Sequence, residues 1–133
     1  MLHDILVAIR SDADIVMARQ QGRSLAATIG FTATDATLIA TAISELARNI
    51  VLYAGQGEVM IRGVETTHRK GIMIVARDSG PGIRSIDDVL RDGYSTSGGL
   101  GLGLPGVKRL MDEFAIESEL RRGTAVTVRK WLK

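Results

Sequence analysis

The sequence of 133 residues contains no cysteine, which excludes disulfide bridges and thiolate chemistry. Aromatic residues make up only 4% of the chain and the basic residues are scattered, so a nucleic-acid-binding surface is not expected. The formal net charge is only +2, and no apolar run approaches the length of a membrane span. The N-terminus also lacks the pattern of a secretory signal. We therefore expect a cytoplasmic protein whose partners are neither nucleic acid nor membrane.

Histidine is scarce as well, and the two histidines, His3 and His68, lie far apart in the sequence. No spacing of histidine, cysteine and acidic residues matches a zinc site. The length predicts a single domain over residues 1–133, which is large enough to bury a core without disulfide support. With 45% apolar residues, the composition is that of an ordinary globular protein.

Hydrophobic periodicity, helix caps and turn residues predict the order of the secondary-structure elements. The predicted strands are Asp4 to Arg10, Glu58 to Val64, Gly71 to Ala76, Phe114 to Leu120 and Thr124 to Leu132. Ser11 is predicted to cap a helix that stops at Gly30, and Thr34 to cap a second helix from Asp35 to about Tyr53. A third helix is predicted from Leu104 to Glu113, and a short one from Ser85 to Leu90. This order is typical of an α/β (α+β) two-layer sandwich, in which a mixed β-sheet carries its helices on one face.

Glu45 and Asn49 lie one turn apart at the edge of the apolar stripe of the second predicted helix. Polar side chains in such a place need partners. One interpretation is a partly solvated pair helped by Arg48, and the helix taken alone favours it. The alternative is a functional pair, in which the neutral amide oxygen of Asn49 binds magnesium and Glu45 is a general base.

The segment Asp78-Ser79-Gly80-Pro81-Gly82 directly follows an apolar predicted strand. An aspartate followed by glycine at the end of a buried strand is a turn in most proteins. Two glycines around a proline are more than a turn requires, and they would let the backbone lie flat against a ligand. Asp78 would then offer an acceptor-only carboxylate to a donor such as the amino group of adenine.

Glycine is concentrated in the stretch from Ser97 to Gly106, directly ahead of the last predicted helix. Glycines before a helix N-terminus leave backbone amides free to bind an anion such as phosphate. The stretch contains a G-x-G-x-x-G pattern, but no strand precedes it, so a dinucleotide fold is rejected, and without G-K-[ST] it is not a P-loop. The predicted ligand-binding residues here are Ser97, Gly98, Gly99, Leu100, Gly101, Leu102 and Gly103.

The order and spacing of these motifs, followed by Gly123-Thr124 in a predicted hairpin, resemble the GHKL (Bergerat-type) ATP-binding fold. The resemblance covers nearly the whole chain. It is closest to the switch protein serine/threonine kinases of the stressosome, which are related to the anti-sigma-factor kinases. The segments that carry it are Glu45 to Val51, Asp78 to Gly82, Tyr94 to Gly101 and Lys108 to Phe114. The related anti-sigma kinases often have a histidine where Tyr53 stands, so no role is transferred to Tyr53.

By this resemblance, the cofactors are ATP and magnesium. Asn49 would hold the metal, and Glu45 would activate the acceptor hydroxyl. Asp78 would bind the adenine amino group, and Thr124 would support it through water. The glycines would line the ligand, with Gly80 and Gly82 along the adenine and Gly99, Gly101 and Gly103 around the phosphates as a lid.

The resemblance also implies partners. The substrates would be STAS-domain proteins phosphorylated on serine or threonine, after which the kinase would engage a PP2C-type phosphatase. Two alternatives remain: an ATP-gated regulatory binding module with little turnover, and the detached catalytic domain of a histidine kinase. Glu45 favours the enzyme, because a pure binder needs no base, and the missing phosphoacceptor-histidine helices argue against the second alternative. The sequence therefore predicts an ATP-dependent protein serine/threonine kinase that acts as a switch in bacterial stress signalling.

Overall fold

The computed structural model describes residues 4–82 and 103–133, which form a five-stranded sheet and three helices. The strands are β1 (Asp4–Ile9), β2 (Gly57–Glu65), β3 (Lys70–Asp78), β4 (Glu113–Glu119) and β5 (Gly123–Trp131). The helices are α1 (Asp12–Ile29), α2 (Ala33–Tyr53) and α3 (Gly103–Leu110). The α1 and α2 helices contact β1, β2 and β3, and α3 contacts α2. The predicted two-layer α/β class is confirmed, while the short helix predicted from Ser85 to Leu90 lies outside the described residues.

The strand order across the sheet is β1-β2-β3-β5-β4, and all four pairings are antiparallel. The prediction of a mixed sheet is therefore wrong in this detail for the described strands. The reason lies in the position of β5. Because β5 is antiparallel to both β3 and β4, those two strands run in the same direction, but β5 lies between them and they never pair.

The inner face of the sheet, which is covered by the helices, is apolar. Alternate strand residues are buried there, as expected for strands with one covered face. The buried inner residues are Val7, Ile9, Val59, Ile61, Ile72, Ile74, Ala76, Val126 and Val128. Opposite them, α2 contributes a buried stripe that includes Ile39, Ile43, Leu46 and Ile50. The core thus lies between α2 and the sheet.

The apolar pattern of the inner face stops at one end of the sheet. There, four residues oppose one another across neighbouring strands: Gly57 faces Asp78, Asp78 faces Thr124, and Thr124 faces Ser118. Residues paired in this way have their side chains on the same face, with Cβ atoms about 5 Å apart. The strand register therefore collects Asp78, Thr124 and Ser118 into one line, which we call the polar row.

Two helix ends differ from the prediction. The N-cap of α2 is Thr32 rather than Thr34, and the Thr32 hydroxyl accepts a hydrogen bond from the Asp35 amide at 3.1 Å. The α3 helix ends at Leu110 rather than Glu113, because Glu113 already pairs with Arg129 of β5.

The cap at Thr32 gives a stability prediction. Thr32→Ala removes the acceptor for one of the free amides of the first turn, and such a change costs about 1 kcal/mol. In a domain of this size, that cost lowers Tm by about 3–5 °C. Thr34→Ala is the matched control, since Thr34 is exposed and caps nothing. Thermal unfolding followed by circular dichroism should separate the two variants, and equal losses in both would contradict the assignment of the cap.

Candidate functional site

Two polar side chains of α2 have buried atoms without partners. Glu45 is 3% exposed, and its Oε2 atom is buried, as is the Oδ1 atom of Asn49. None of the described residues donates a hydrogen bond to either atom. Burying such oxygens unpaired costs free energy, so the pair marks a place for a cation or a donor from a ligand. The interpretation of a partly solvated pair does not hold for Glu45, because its side chain is buried.

The spacing of Glu45 and Asn49 places them on one face of α2, one turn apart. This helix contacts α3, whose first residues, 103–107, are all buried. Gly103, the last residue of the predicted phosphate-binding stretch, is also the first residue of α3. The other predicted residues of that stretch lie outside the described residues: Ser97, Gly98, Gly99, Leu100, Gly101 and Leu102.

The polar row forms a second group of functional side chains. Asp78 is the last residue of β3, and its Oδ1 accepts a hydrogen bond from the Gly80 amide at 2.9 Å. Thr124 lies directly opposite Asp78 on β5. The Thr124 hydroxyl oxygen is 2.8 Å from the hydroxyl oxygen of Ser118, on β4. The end of the inner face therefore offers a carboxylate and two hydroxyls side by side.

The C-terminal part of α2 lies over this end of the sheet. A methyl group on Gly57 would be 2.9 Å from Ile50 Cγ2 and 3.1 Å from Asp78 Cβ, so Ile50 and Asp78 meet at Gly57. Ile50 directly follows Asn49, so we expect the Glu45 and Asn49 side chains to lie at the same corner of the fold as the polar row. The packing thus brings the C-terminal part of α2 to the end of the sheet that carries Asp78 and Thr124.

Gly80 and Gly82 both contact neighbouring protein. A methyl group on Gly80 would be 2.6 Å from Ala54 Cβ at the end of α2. A side chain on Gly82 would overlap the carbonyl oxygen of Glu119. Between the two glycines, the Pro81 carbonyl accepts a hydrogen bond from the Arg121 amide at 2.7 Å. The glycines therefore let this loop lie flat between α2 and the β4–β5 turn, and their contact with a base stays a prediction.

Sequence reasoning named Gly123 only as part of a hairpin motif and did not single out Ser118, although both belong to this corner. Gly123 has φ +122°, and a side chain there would overlap the carbonyl oxygen of Asp78, so glycine is required for both reasons. Ser118 had a usable signal, because it follows Phe114 and Ile116 on the inner face of β4. A polar residue that continues an apolar alternation needs a hydrogen-bond partner.

Among residues 4–82 and 103–133, no helix is long and apolar enough to cross a membrane. These residues also contain no group of three or more histidine, cysteine, aspartate and glutamate side chains that could hold a metal ion.

Known proteins share this architecture. Residues 34–133 match the family of histidine kinase-, DNA gyrase B- and HSP90-like ATPases. The chain is 55% identical over 127 residues to the serine/threonine-protein kinase RsbT of Bacillus subtilis (strain 168), covering 96% of each chain. It is 29% identical over 107 residues to the anti-sigma F factor of Priestia megaterium, covering 76% of this chain and 73% of that one. The mycobacterial sensor histidine kinase MprB has the same fold, with a TM-score of 0.55 at 18% identity over 97% of each chain.

The chain therefore belongs to the histidine kinase-, gyrase B- and HSP90-like (GHKL) ATPase family, and its nucleotide is ATP. Within that family it groups with the serine/threonine-protein kinases of the RsbT type. The predicted resemblance and the predicted enzyme class, an ATP-dependent protein serine/threonine kinase, are confirmed.

Proposed function

We propose that this protein is a cytoplasmic, magnesium-dependent switch kinase of a stressosome-type partner-switching pathway. Its substrates are serine or threonine residues of STAS-domain proteins, and after transfer it engages a PP2C-type phosphatase. The identity to RsbT supports the class of pathway. The observation that carries the catalytic part is the buried Glu45 carboxylate oxygen, one turn from the Asn49 amide oxygen, which has no hydrogen-bond partner among residues 4–82 and 103–133. A module that only binds ATP has no use for such a base.

The residues present fit a magnesium ion. The buried Asn49 Oδ1 is a neutral oxygen that no residue in the described part of the chain hydrogen-bonds, and it suits an ion whose other ligands are phosphate and water oxygens. The nearby carboxylate of Glu45 makes the same corner favourable for a cation. When bound, the ion would neutralise charge that develops on the transferred phosphoryl group.

Each side chain then has a separate task. Asp78 accepts a hydrogen bond from the adenine amino group and Thr124 supports it through water, while Gly80 and Gly82 lie along the base. The amides of residues 97–103 bind the phosphates. Glu45 takes the proton of the incoming serine or threonine hydroxyl, whose oxygen forms a bond to the γ-phosphorus as the bond to the ADP oxygen breaks. Such chemistry depends mainly on positioning and charge, with the base adding to both.

The function is tested by the chemistry of the phosphorylated product. The purified wild type and the purified Glu45→Gln variant are each incubated with γ-labelled ATP, magnesium and a lysate of the source cells. We expect a labelled partner whose phosphate resists acid, as phosphoserine and phosphothreonine do, and little label with the variant. A label that is lost in acid but survives alkali would show a histidine-kinase domain instead. A partner that binds in an ATP-dependent way but is never labelled would show a regulatory binding module.

The proposed metal ligand gives a prediction about magnesium. Asn49→Ala should remove the increase in ATP affinity that magnesium produces, while affinity in excess EDTA changes little. We expect a loss of at least about 10-fold in the presence of magnesium, the lower end of what changes around metal sites cost. Calorimetric titration with and without the metal measures both affinities. Thr37→Ala, on the exposed face of the same helix, should behave as wild type. An unchanged magnesium effect in Asn49→Ala would remove Asn49 from the metal site.

A further inference from the structure

The hydroxyl groups of the polar row form a chain with a direction. Ser118 Oγ lies 3.2 Å from the carbonyl oxygen of Gly123 and 2.8 Å from Thr124 Oγ1. Both hydroxyls are partly buried beside Asp78, which directly opposes Thr124. The proposed site uses Asp78 and Thr124 but gives no task to Ser118.

The contact between Ser118 and the Gly123 carbonyl favours one direction for this chain. A carbonyl oxygen can only accept, so Ser118 is the donor in its bond to Gly123. Either hydroxyl could be the donor in the contact between Ser118 and Thr124. When the single Ser118 hydrogen is used on Gly123, the Ser118 oxygen accepts from Thr124. The Thr124 hydrogen then points at Ser118, and the lone pairs of Thr124 remain for a donor from outside the row.

The orientation of the Asp78 carboxylate is also restricted by a hydrogen bond. The Gly80 amide already donates to its Oδ1 atom at 2.9 Å, which orients the carboxylate. Without Ser118, the Thr124 hydroxyl could rotate and donate to the Asp78 carboxylate across the strand pair. That bond would occupy a lone pair that a ligand amino group would otherwise use.

We infer that Ser118 is a positioning residue, which holds the Thr124 hydroxyl so that Asp78 and Thr124 together present only acceptors to the base. A binding site that offers only acceptors next to Asp78 favours a base with an amino group there over a base with a hydrogen atom or a carbonyl oxygen. The inference rests on the proposed nucleotide site, and it adds the residue that sets the direction of the hydrogen bonds there.

The test compares two nucleotides that differ by the amino group alone. Magnesium complexes of ATP and of purine riboside triphosphate, which lacks the amino group, are titrated calorimetrically into wild type and Ser118→Ala. One lost hydrogen bond corresponds to a loss of about 3- to 10-fold. We expect ATP affinity to fall by this factor in Ser118→Ala, while the affinity for purine riboside triphosphate stays the same. Ser118→Thr, which keeps the hydroxyl, should restore the wild-type ratio.

A double-mutant cycle locates the effect. Thr124→Val removes the hydroxyl that Ser118 orients, so adding Ser118→Ala to Thr124→Val should cause no further loss of ATP affinity. Equal losses for both nucleotides in Ser118→Ala would show a merely structural role, and an unchanged ratio would show no role; either overturns the inference. If Ser118→Ala does not fold, Ser118→Cys provides the comparison, since a thiol is a weak donor and acceptor. A wild type that binds both nucleotides equally would instead refute the base contact of the proposed site.

Discussion

Glu45→Gln is expected to lose most phosphoryl transfer while it still binds ATP. Glutamine has nearly the shape of glutamate, but its amide cannot take the proton of an acceptor hydroxyl. General bases contribute about 10²–10⁴-fold to the rates of the reactions they serve, so transfer should slow by a factor in that range. The fold should survive, because Glu45 Oε2 has no partner among the described residues and its removal breaks no hydrogen bond.

Transfer by Glu45→Gln is best measured as a single turnover of labelled ATP with a phosphorylatable partner, and ATP affinity by calorimetry on the same preparation. Thermal unfolding should show equal or higher stability, because a buried carboxylate without a partner carries a desolvation cost. Glu58→Gln is the control, since Glu58 pairs with Arg77 at 2.9 Å on the opposite face of the sheet. Transfer at the wild-type rate by Glu45→Gln would make Glu45 a structural neighbour of the site and remove the proposed base.

Local patterns were sufficient to predict the layers of the fold but not the pairing of its strands. The alternation in β2, β3 and β5 and the helical stripe of α2 each follow from a few neighbouring residues, and the structure has both. The strand order depends on where β5 inserts, a contact between distant parts of the chain. Because β3, α3 and β4 follow one another in the chain, the sequence suggests that β3 and β4 pair in parallel. In the structure β5 lies between these two strands and prevents that pairing.

For the site as well, some features could be predicted from local sequence and others could not. The four-residue spacing of Glu45 and Asn49 is enough to place them on one helix face, but their burial depends on how α2 packs. The pairing of Asp78 with Thr124 depends on the register of β3 and β5, which no local motif specifies. The need for glycine at Gly80 was predicted, yet the surface that Gly80 approaches includes Ala54, which directly follows α2, and this contact exists only once the elements pack.

The recognition of the base gives the second prediction with a large expected effect. Asp78 accepts a hydrogen bond from the Gly80 amide through one oxygen, and in the proposed site its other oxygen accepts from the adenine amino group. In guanine, a carbonyl oxygen replaces that amino group and would face a carboxylate oxygen. A site that hydrogen-bonds one group of a ligand binds analogues without that group much more weakly. We therefore expect the affinity of wild type for ATP to exceed its affinity for GTP by about 100-fold or more.

Asp78→Asn should lose this preference without unfolding. The asparagine Oδ1 can keep the bond from Gly80, so the loop retains its anchor, while the Nδ2 group turns a donor toward the base. That donor repels the adenine amino group and suits the guanine carbonyl, so ATP affinity should fall and the ATP-to-GTP ratio should approach or pass unity. Calorimetry with both nucleotides measures the ratio, and Ser79→Ala, at the exposed neighbouring position, is the control. Equal affinities of wild type for ATP and GTP, or a ratio unchanged in Asp78→Asn with the fold intact, would show that the base lies elsewhere.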